Sequence, residues 1–243
     1  MSFINKIINI DELQGAFYTA KLAHASRASL RATDYAINRY VKEGRIIRVK
    51  RGMYARSANP FYIASMLFGG YVGFSSALYL HGLKPEIEAT VTVCTQGHMV
   101  GTRFMDKLLL PVNMSDQFYG YKIIEAEGLD IPVSTFPKIV FDMFFRPKHA
   151  NFYDMYNAMN NREMSPVEWK ALLHYAREAN LATQRRMGYG LENKAPGWFT
   201  AKLLNLSKGR KKSSFFLGHR PDNYNPKWGI FDDINIRRWE NAV

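Results

Sequence analysis

Residues 27–55 read Arg-Ala-Ser-Leu-Arg-Ala-Thr-Asp-Tyr-Ala-Ile-Asn-Arg-Tyr-Val-Lys-Glu-Gly-Arg-Ile-Ile-Arg-Val-Lys-Arg-Gly-Met-Tyr-Ala, and this stretch decides the fold of the N-terminal part of the chain. Its first half carries apolar side chains at the spacing of one helical face. The sequence therefore predicts a helix that starts near Leu30 and ends before Gly44. Its packed face is expected to consist of Leu30, Ile37, Tyr40 and Val41.

The second half of the stretch predicts a basic hairpin. Residues 46–49 alternate apolar and polar, residues 50–52 supply a turn that ends in glycine, and residues 53–55 can return as the partner strand. We expect the preceding residues to add a helix at 5–13, a short strand at 17–18 and a second helix at 19–24. Helices followed by a hairpin are the parts of a winged helix-turn-helix, whose helix enters the major groove while the wing reaches phosphate or the minor groove. The predicted DNA contacts are Arg27, Ser29, Arg31, Tyr35, Asn38, Arg39, Lys42, Arg48, Lys50 and Arg51.

The distribution of charge supports a nucleic-acid partner. Residues 1–57 hold eleven Lys and Arg against four Asp and Glu, so this quarter of the chain carries +7 of the total net charge of +12. Positive charge concentrated in this way is the electrostatic footprint of a polyanion partner, because neutralised phosphates release counterions. The alternative is a small packing unit with a solvated basic face.

Length and composition predict two domains. With 243 residues and 47% hydrophobic residues, the chain can bury a large core. We expect a DNA-binding domain at 1–57, a hinge at 57–60 and a second domain at 58–243. The single cysteine, Cys94, excludes an intramolecular disulfide framework and a Cys-based zinc site. No charged-then-apolar signal peptide is recognised, so we expect a cytoplasmic location.

One uncharged segment has the length of a membrane span. Residues 61–80 contain no Asp, Glu, Lys or Arg, but Gly69 and Gly70 would break a single helix into two pieces. We therefore expect a helix at 60–68, a short buried strand at 71–74 and a helix at 75–80. This segment is interpreted as core of the second domain, with no membrane partner.

Downstream residues predict an α+β domain with a mainly antiparallel sheet and a helical C-terminal part. Strands are expected at 90–95, 108–112, 119–126 and 131–134, because these runs are rich in β-branched and alternating residues. Pro137 opens a predicted helix through Phe144. Further helices are expected at 153–159, 166–180 and 198–206, with a closing strand at 228–231.

The order of three motifs resembles the AbiEi-like antitoxins of type IV toxin–antitoxin systems. The motifs are the basic hairpin ending in Arg-Val-Lys-Arg-Gly-Met-Tyr, the segment 71–83 (Tyr-Val-Gly-Phe-Ser-Ser-Ala-Leu-Tyr-Leu-His-Gly-Leu) and the segment 131–142 (Ile-Pro-Val-Ser-Thr-Phe-Pro-Lys-Ile-Val-Phe-Asp). The resemblance implies a transcriptional autorepressor whose winged helix binds its own promoter. It also implies a second domain that counteracts a nucleotidyltransferase-type toxin, often without a stable complex. The chain has Pro137 where the family commonly has a glutamate. The candidate antitoxin-motif residues are Ser75, Ser76, His81, Lys138 and Asp142.

The same residues also have ordinary structural interpretations. Ser75 is expected to cap the helix that follows a strand. His81 would lie at the carbonyl end of that helix, where a protonated imidazole is favoured. Lys138 and Asp142 lie four residues apart on a predicted helix, so an ion pair on a solvated face is expected.

Two further classes of function remain open. Residues 73–77, Gly-Phe-Ser-Ser-Ala, approach the nucleophile elbow of a serine hydrolase, with Asp142 and either His174 or His219 as triad partners by order alone. A one-component regulator whose second domain binds a small effector is the other alternative. We expect no enzyme activity, no metal and no cofactor, since no Walker loop, dinucleotide fingerprint or metal-ligand spacing occurs. A second basic stretch at 193–221 carries seven basic residues and no acid. It is interpreted as a solvated loop, with tRNA or the toxin as conceivable partners.

Overall fold

The first part of the fold is a small unit of two helices and three strands. In the computed structural model, residues 16–208, 213–218 and 223–241 are described, so the helix predicted at 5–13 lies outside the described residues. The strands pair antiparallel in the order β1-β3-β2. The elements are β1 Ala16–Tyr18, α1 Thr19–Ala25, α2 Leu30–Lys42, β2 Ile47–Lys50 and β3 Met53–Ala55.

Helix α2 begins and ends where the sequence predicts. The Ser29 hydroxyl accepts a hydrogen bond from the backbone N–H of Ala32 at 3.2 Å, which is the usual role of a serine N-cap. Gly44 follows the last turn with a φ of +69°, a left-handed conformation that favours glycine. The expectation that Leu30 packs is wrong, because its side chain is 57% exposed at the first position of the helix.

This unit has a small core of its own. Its buried residues are Ala36, Ile37, Tyr40, Ile46 and Tyr54. On the other side of the sheet, Ala55 belongs to the core of the rest of the chain, and the Ala16 backbone N–H donates to the Tyr62 hydroxyl at 3.2 Å. The three-stranded sheet therefore contacts the second unit directly. The domain boundary at residue 57 stays a prediction.

The uncharged segment folds as α3 Pro60–Phe68, β4 Tyr71–Val72 and α4 Phe74–Leu80. Asn59 caps α3 by accepting from the backbone N–H groups of Phe61 and Tyr62, each at 3.1 Å. Gly69 ends the helix in the left-handed conformation. A Cβ at Gly70 would lie 2.1 Å from the Cys94 carbonyl oxygen, so the close approach of this segment to the sheet requires glycine. Within the described part of the chain, no helix is long and apolar enough to cross a membrane.

A mixed six-stranded sheet forms the centre of the second unit, with strand order β6-β7-β5-β4-β9-β8. β4 pairs parallel with β9 and β5 pairs parallel with β7, while the other three pairs are antiparallel. The α+β class is therefore confirmed, and three of the five strand pairs are antiparallel, in agreement with a mainly antiparallel sheet. Its remaining strands are β5 Thr90–Thr95, β6 Thr102–Phe104, β7 Lys107–Asn113, β8 Tyr121–Ala126 and β9 Leu129–Ser134.

The C-terminal part is mostly helical, as predicted, with a small sheet in the order β10-β12-β11. The predicted strand at 228–231 is present only at its last two residues. The helix over residues 181–191 was not predicted. The helices are α5 Phe136–Phe145, α6 Phe152–Asn161, α7 Pro166–Glu178, α8 Leu181–Leu191, α9 Gly197–Ser207 and α10 Ile236–Asn241, and the strands are β10 Ser214–Phe215, β11 Tyr224–Asn225 and β12 Ile230–Phe231.

Candidate nucleic-acid interface

One face of α2 is polar and exposed along its whole length. The buried side chains of the helix are Thr33, Ala36, Ile37 and Tyr40, which fixes the face that points away from the core. The side chains on the opposite face are all exposed, and Tyr35 has 69% of its surface free. The exposed face of α2 carries Arg31, Tyr35, Asn38, Arg39 and Lys42, together with the acid Asp34.

The hairpin adds further exposed cations. In β2 the side chains of Arg48 and Lys50 are exposed, while those of Ile47 and Val49 pack against the core of the second unit. This alternation follows from the period of two along a strand. The turn contains Arg51, also exposed, and Gly52 with a φ of +74°. The hairpin therefore presents three cationic side chains.

The start of α2 supplies the remaining two predicted contacts. Arg27 is exposed, and its φ of +53° lies in the left-handed region in the turn between α1 and α2. Ser29 is exposed beside it, and its hydroxyl keeps a hydrogen to donate because it acts as the acceptor in the cap. We call these ten exposed side chains the basic face: Arg27, Ser29, Arg31, Tyr35, Asn38, Arg39, Lys42, Arg48, Lys50 and Arg51.

The positive charge of the basic face is only weakly neutralised. Residues 16–57 contain ten Lys and Arg but only two acids, Asp34 and Glu43. Glu43 pairs with Arg39 across one helical turn at 2.7 Å, and this hydrogen bond raises the pKa of Arg39. Both side chains are exposed, so water screens the pair and little free energy opposes its exchange for another anion.

The pair of Lys138 and Asp142 is present but does not lie on a solvated face. Lys138 Nζ donates to Asp142 Oδ1 across one turn of α5, and both side chains are completely buried. The predicted location is wrong because α5 is surrounded by protein. Its other residues, among them Ile139, Phe141 and Phe144, are apolar and buried too.

Aromatic rings enclose the buried lysine. Its Nζ lies 4.7 Å from the ring centroid of Phe141 and 4.9 Å from that of Tyr119, with two more tyrosines at 5.9 Å. The negative faces of aromatic rings stabilise a cation. Gly120 closes the enclosure, because a Cβ there would lie 2.9 Å from Lys138 Cδ. The two further rings belong to Tyr71 and Tyr175.

Asp142 has neutral donors on its second oxygen. Tyr71 donates its hydroxyl to Oδ2 at 3.3 Å, and the Cys94 thiol lies 3.8 Å from the same oxygen. Burial raises the pKa of Asp142 to about 6, against the opposing attraction of Lys138. Burial likewise raises the pKa of Tyr71 and of the Cys94 thiol. These four groups form one polar cluster inside the core.

The two adjacent serines of α4, Ser75 and Ser76, do not cap the helix. The N-cap of α4 is Gly73, and no side chain bonds to the free N–H groups there, so the expectation for Ser75 is wrong. Ser76 joins the helix to the sheet. Its hydroxyl accepts from the Thr92 N–H at 3.0 Å and donates to the Thr90 carbonyl at 3.4 Å.

His81 lies at the C-terminal end of α4, as predicted, but its environment does not favour the protonated form. Its Nε2 lies 2.8 Å from the Ser134 carbonyl oxygen, and since a carbonyl only accepts, Nε2 carries the hydrogen. Burial lowers the pKa of His81, and Lys122 and Arg162 lower it further. The imidazole therefore acts as a neutral tie between α4 and β9.

The strand-turn-helix expected of a nucleophile elbow is present, but Ser75 does not occupy the strained position. The left-handed residue is Phe74, the first residue of α4, with a φ of +54°. Ser75 is only 5% exposed, and both oxygens of Asp142 already have the partners named above. In a Ser-His-Asp triad the aspartate orients a histidine base, but Asp142 is bonded to Lys138 and Tyr71, and His174 is exposed on α7. His219 lies outside the described residues.

Part of the second basic stretch contributes to the core instead of a loop. Phe199 and Phe216 are buried, while Lys202 lies 5.6 Å from the ring centroid of the partly exposed Trp198. Lys194 donates to the Asn160 side chain at 2.6 Å. Four of the seven basic residues lie outside the described residues: Arg210, Lys211, Lys212 and Arg220.

Comparison with solved structures finds a protein with a similar fold. The crystal structure of the RV2827C protein from Mycobacterium tuberculosis matches with a TM-score of 0.68 at 11% sequence identity. The match covers 100% of this chain and 95% of that one. At such low identity the likeness is one of fold alone. No known family profile matches the chain. A search of curated proteins likewise gives no match.

Proposed function

We propose that this protein is a DNA-binding autorepressor and antitoxin that counteracts a nucleotidyltransferase-type toxin. The observation that carries the proposal is the basic face, on which all ten predicted DNA contacts are exposed. In this proposal α1 and α2 form a helix-turn-helix, α2 is the recognition helix and the β2–β3 hairpin is the wing. The resemblance of the motif order to AbiEi-like antitoxins supports the toxin-directed part.

The side chains of the basic face divide by expected role. Asn38 and Arg39 stand in the middle of the exposed side of α2, where side chains reach base edges in the major groove. On binding, the Arg39 side chain would give up its ion pair with Glu43 and contact the DNA instead. The hairpin cations Arg48, Lys50 and Arg51 contact phosphates, which adds affinity without sequence preference.

The candidate antitoxin-motif residues act through the fold of the second unit. Ser76, Lys138 and Asp142 are buried and His81 is partly buried, and their hydrogen bonds link α4, α5 and the strands around β4, so these side chains are used within the fold. A toxin would have to meet other residues of the same unit. We therefore expect substitutions of the motif to weaken protection in proportion to the stability they remove.

A reporter and rescue experiment tests both parts. The chain and the neighbouring toxin gene are each expressed from a promoter unrelated to the native one. Repression of a reporter under the native promoter is measured in parallel. Asn38→Ala with Arg39→Ala should abolish repression and leave rescue intact, because the toxin is no longer under the native promoter. Arg103→Ala with Lys122→Ala, which removes two exposed charges from the second unit against one from α2, should leave repression unchanged. Repression that survives the α2 variant, or a neighbouring gene that encodes no nucleotidyltransferase, would overturn the proposal.

A further inference from the structure

A cleft in the second unit gathers cations that form no ion pair with an acid within the described residues. The cleft has a volume of about 910 Å³ and lies between the end of β7, the turn after α5, the start of α8 and the segment 213–218. Ligand pockets commonly measure about 300–1,000 Å³. Three permanently charged residues line it, together with two histidines and no carboxylate among the described lining residues. We call this site the cationic cleft, and its charged and imidazole side chains are His98, Arg146, Lys148, His149 and Arg186.

The cations are held in place by backbone carbonyls. Arg146 Nε donates to the Asn113 carbonyl at 2.8 Å. Arg186 Nε donates to the Phe215 carbonyl at 2.7 Å, and its Nη1 donates to that of Phe144 at 3.3 Å. Neutral carbonyls orient a guanidinium without cancelling its charge. No ion pair joins Arg146, Lys148 or Arg186 to an acid within the described residues.

The cations of the cleft repel a further positive charge at His149. Burial, with Arg146 and Lys148, lowers the pKa of His149, whereas burial lowers the pKa of Arg186 to about 10 against the opposing attraction of Asp233. The nearby carboxylate of Asp233 accepts from the backbone N–H groups of residues 216–218 and does not line the cleft. An anion in the cleft would relieve this repulsion.

Helix α8 strengthens the same site. Asn180 and Ala182 line the cleft at the start of this 11-residue helix, and Arg186 follows Ala182 by one turn on the same face. The Asn180 side chain accepts a hydrogen bond from the Thr183 N–H at the N-cap of α8. The N–H groups of the first turn that precede Thr183 have no intrahelical acceptor. Free N–H groups and the helix dipole favour a negative charge at this end.

We propose that the cationic cleft binds a nucleoside triphosphate, with Arg146, Lys148 and Arg186 around the phosphates and the partly exposed ring of Phe215 against the base. The three cations nearly balance the charge of a triphosphate, and the Phe215 ring, which stacks on Phe231, provides apolar surface for a flat heterocycle. The site is separate from the basic face, so it does not depend on the DNA-binding proposal. It would make the second unit responsive to a phosphorylated small molecule.

Isothermal titration calorimetry of the full chain with ATP, GTP and tripolyphosphate tests the proposal. At least one nucleotide should bind about tenfold more tightly than tripolyphosphate, because the base adds stacking. Lys148→Glu should weaken that binding about tenfold or more, since this side chain is exposed and bonds to no other group among the described residues, so that its loss spares the fold. The matched control Lys122→Glu, on exposed β8, makes the same charge change elsewhere and should have no effect.

Four outcomes of the calorimetry with nucleotides and tripolyphosphate would overturn the proposal. They are no binding of either nucleotide, equal binding of tripolyphosphate, equal weakening by Lys148→Glu and Lys122→Glu, and loss of nucleotide binding on Lys50→Ala with Arg51→Ala, which would place the ligand on the basic face. Tighter binding of a short single-stranded RNA than of any nucleotide would also overturn it, in favour of a nucleic-acid end.

Discussion

Two ion pairs with the same helical spacing lie in opposite surroundings. Arg39 and Glu43 pair on the exposed side of α2, with 51% and 37% of their side chains free, whereas Lys138 and Asp142 pair with no exposure at all. The first cation remains available to a partner in solution. The second is committed to the core, where its loss would leave an uncompensated charge. Spacing alone therefore predicts that a pair forms, and the neighbours decide what the pair does.

The largest expected effect is on the buried pair. Lys138→Met should lower the free energy of unfolding at pH 7 by about 3–5 kcal/mol, because Asp142 stays buried without its partner. Lys138→Met combined with Asp142→Asn should recover most of this loss, since the amide still accepts from Tyr71. Urea unfolding of the three proteins measures the difference. A single variant as stable as the parent would show that the pair does not act as a unit.

The pH dependence of stability should carry the signature of Asp142. Its pKa rises from 3.8 to about 6 on folding, so the folded state holds the proton more tightly than the unfolded state. This contribution to stability is complete below about pH 4 and is lost as the pH rises through about 6. Relative to the neutral double variant, the parent should lose on the order of 2–3 kcal/mol between pH 4 and pH 7. A constant difference across this range would contradict the burial of an ionisable carboxyl.

Replacement of the two adjacent serines of α4 should reduce stability by different amounts, because only one of them bonds to the sheet. Ser76→Ala should cost about 1–3 kcal/mol, because the buried N–H of Thr92 loses its acceptor. Ser75→Ala should cost less, since the Ser75 side chain makes no cap. Thermal unfolding of the two variants provides the comparison. A greater cost at Ser75 would restore the capping interpretation.

The smallest effect is expected on the exposed pair. Glu43→Gln should leave stability nearly unchanged, because such exposed pairs contribute little. It should strengthen DNA binding by a few-fold, since Arg39 is released and a negative charge leaves the basic face. A filter-binding titration at fixed salt measures the affinity. Weaker DNA binding by this variant would indicate that Glu43 holds Arg39 in its binding position.

The N-terminal unit could be predicted closely from local patterns. The hairpin follows from strict alternation and a left-handed glycine at the turn, and α2 follows from its cap and its glycine stop. These signals act over a few residues. Leu30 was the exception, because it lies at the first position of α2 and is 57% exposed although its spacing fits the packed face.

The structure of the second unit was harder to predict, because it depends on contacts between residues that are far apart in the sequence. Helix α8 contains Gly188 and Gly190, which disfavour a helix locally. Both are required by packing, since a Cβ at Gly188 would lie 2.0 Å from the Trp228 ring and one at Gly190 2.5 Å from that of Phe144. One feature of the sequence could have predicted the burial of Lys138. Residues 136–145 are apolar on every side of the helix apart from Lys138 and Asp142, which is typical of a buried helix.

The salt dependence of DNA binding tests the central claim most directly. DNA from upstream of the gene is titrated with the full chain at several salt concentrations. We predict a steep loss of affinity with salt, and Lys50→Ala with Arg51→Ala should reduce the slope of log K against log salt by about two, one for each lost phosphate contact. The control Arg103→Ala with Lys122→Ala should keep the slope of the parent. Absent or salt-insensitive binding, or an equal change of slope in the control, would contradict the assignment of the basic face to DNA.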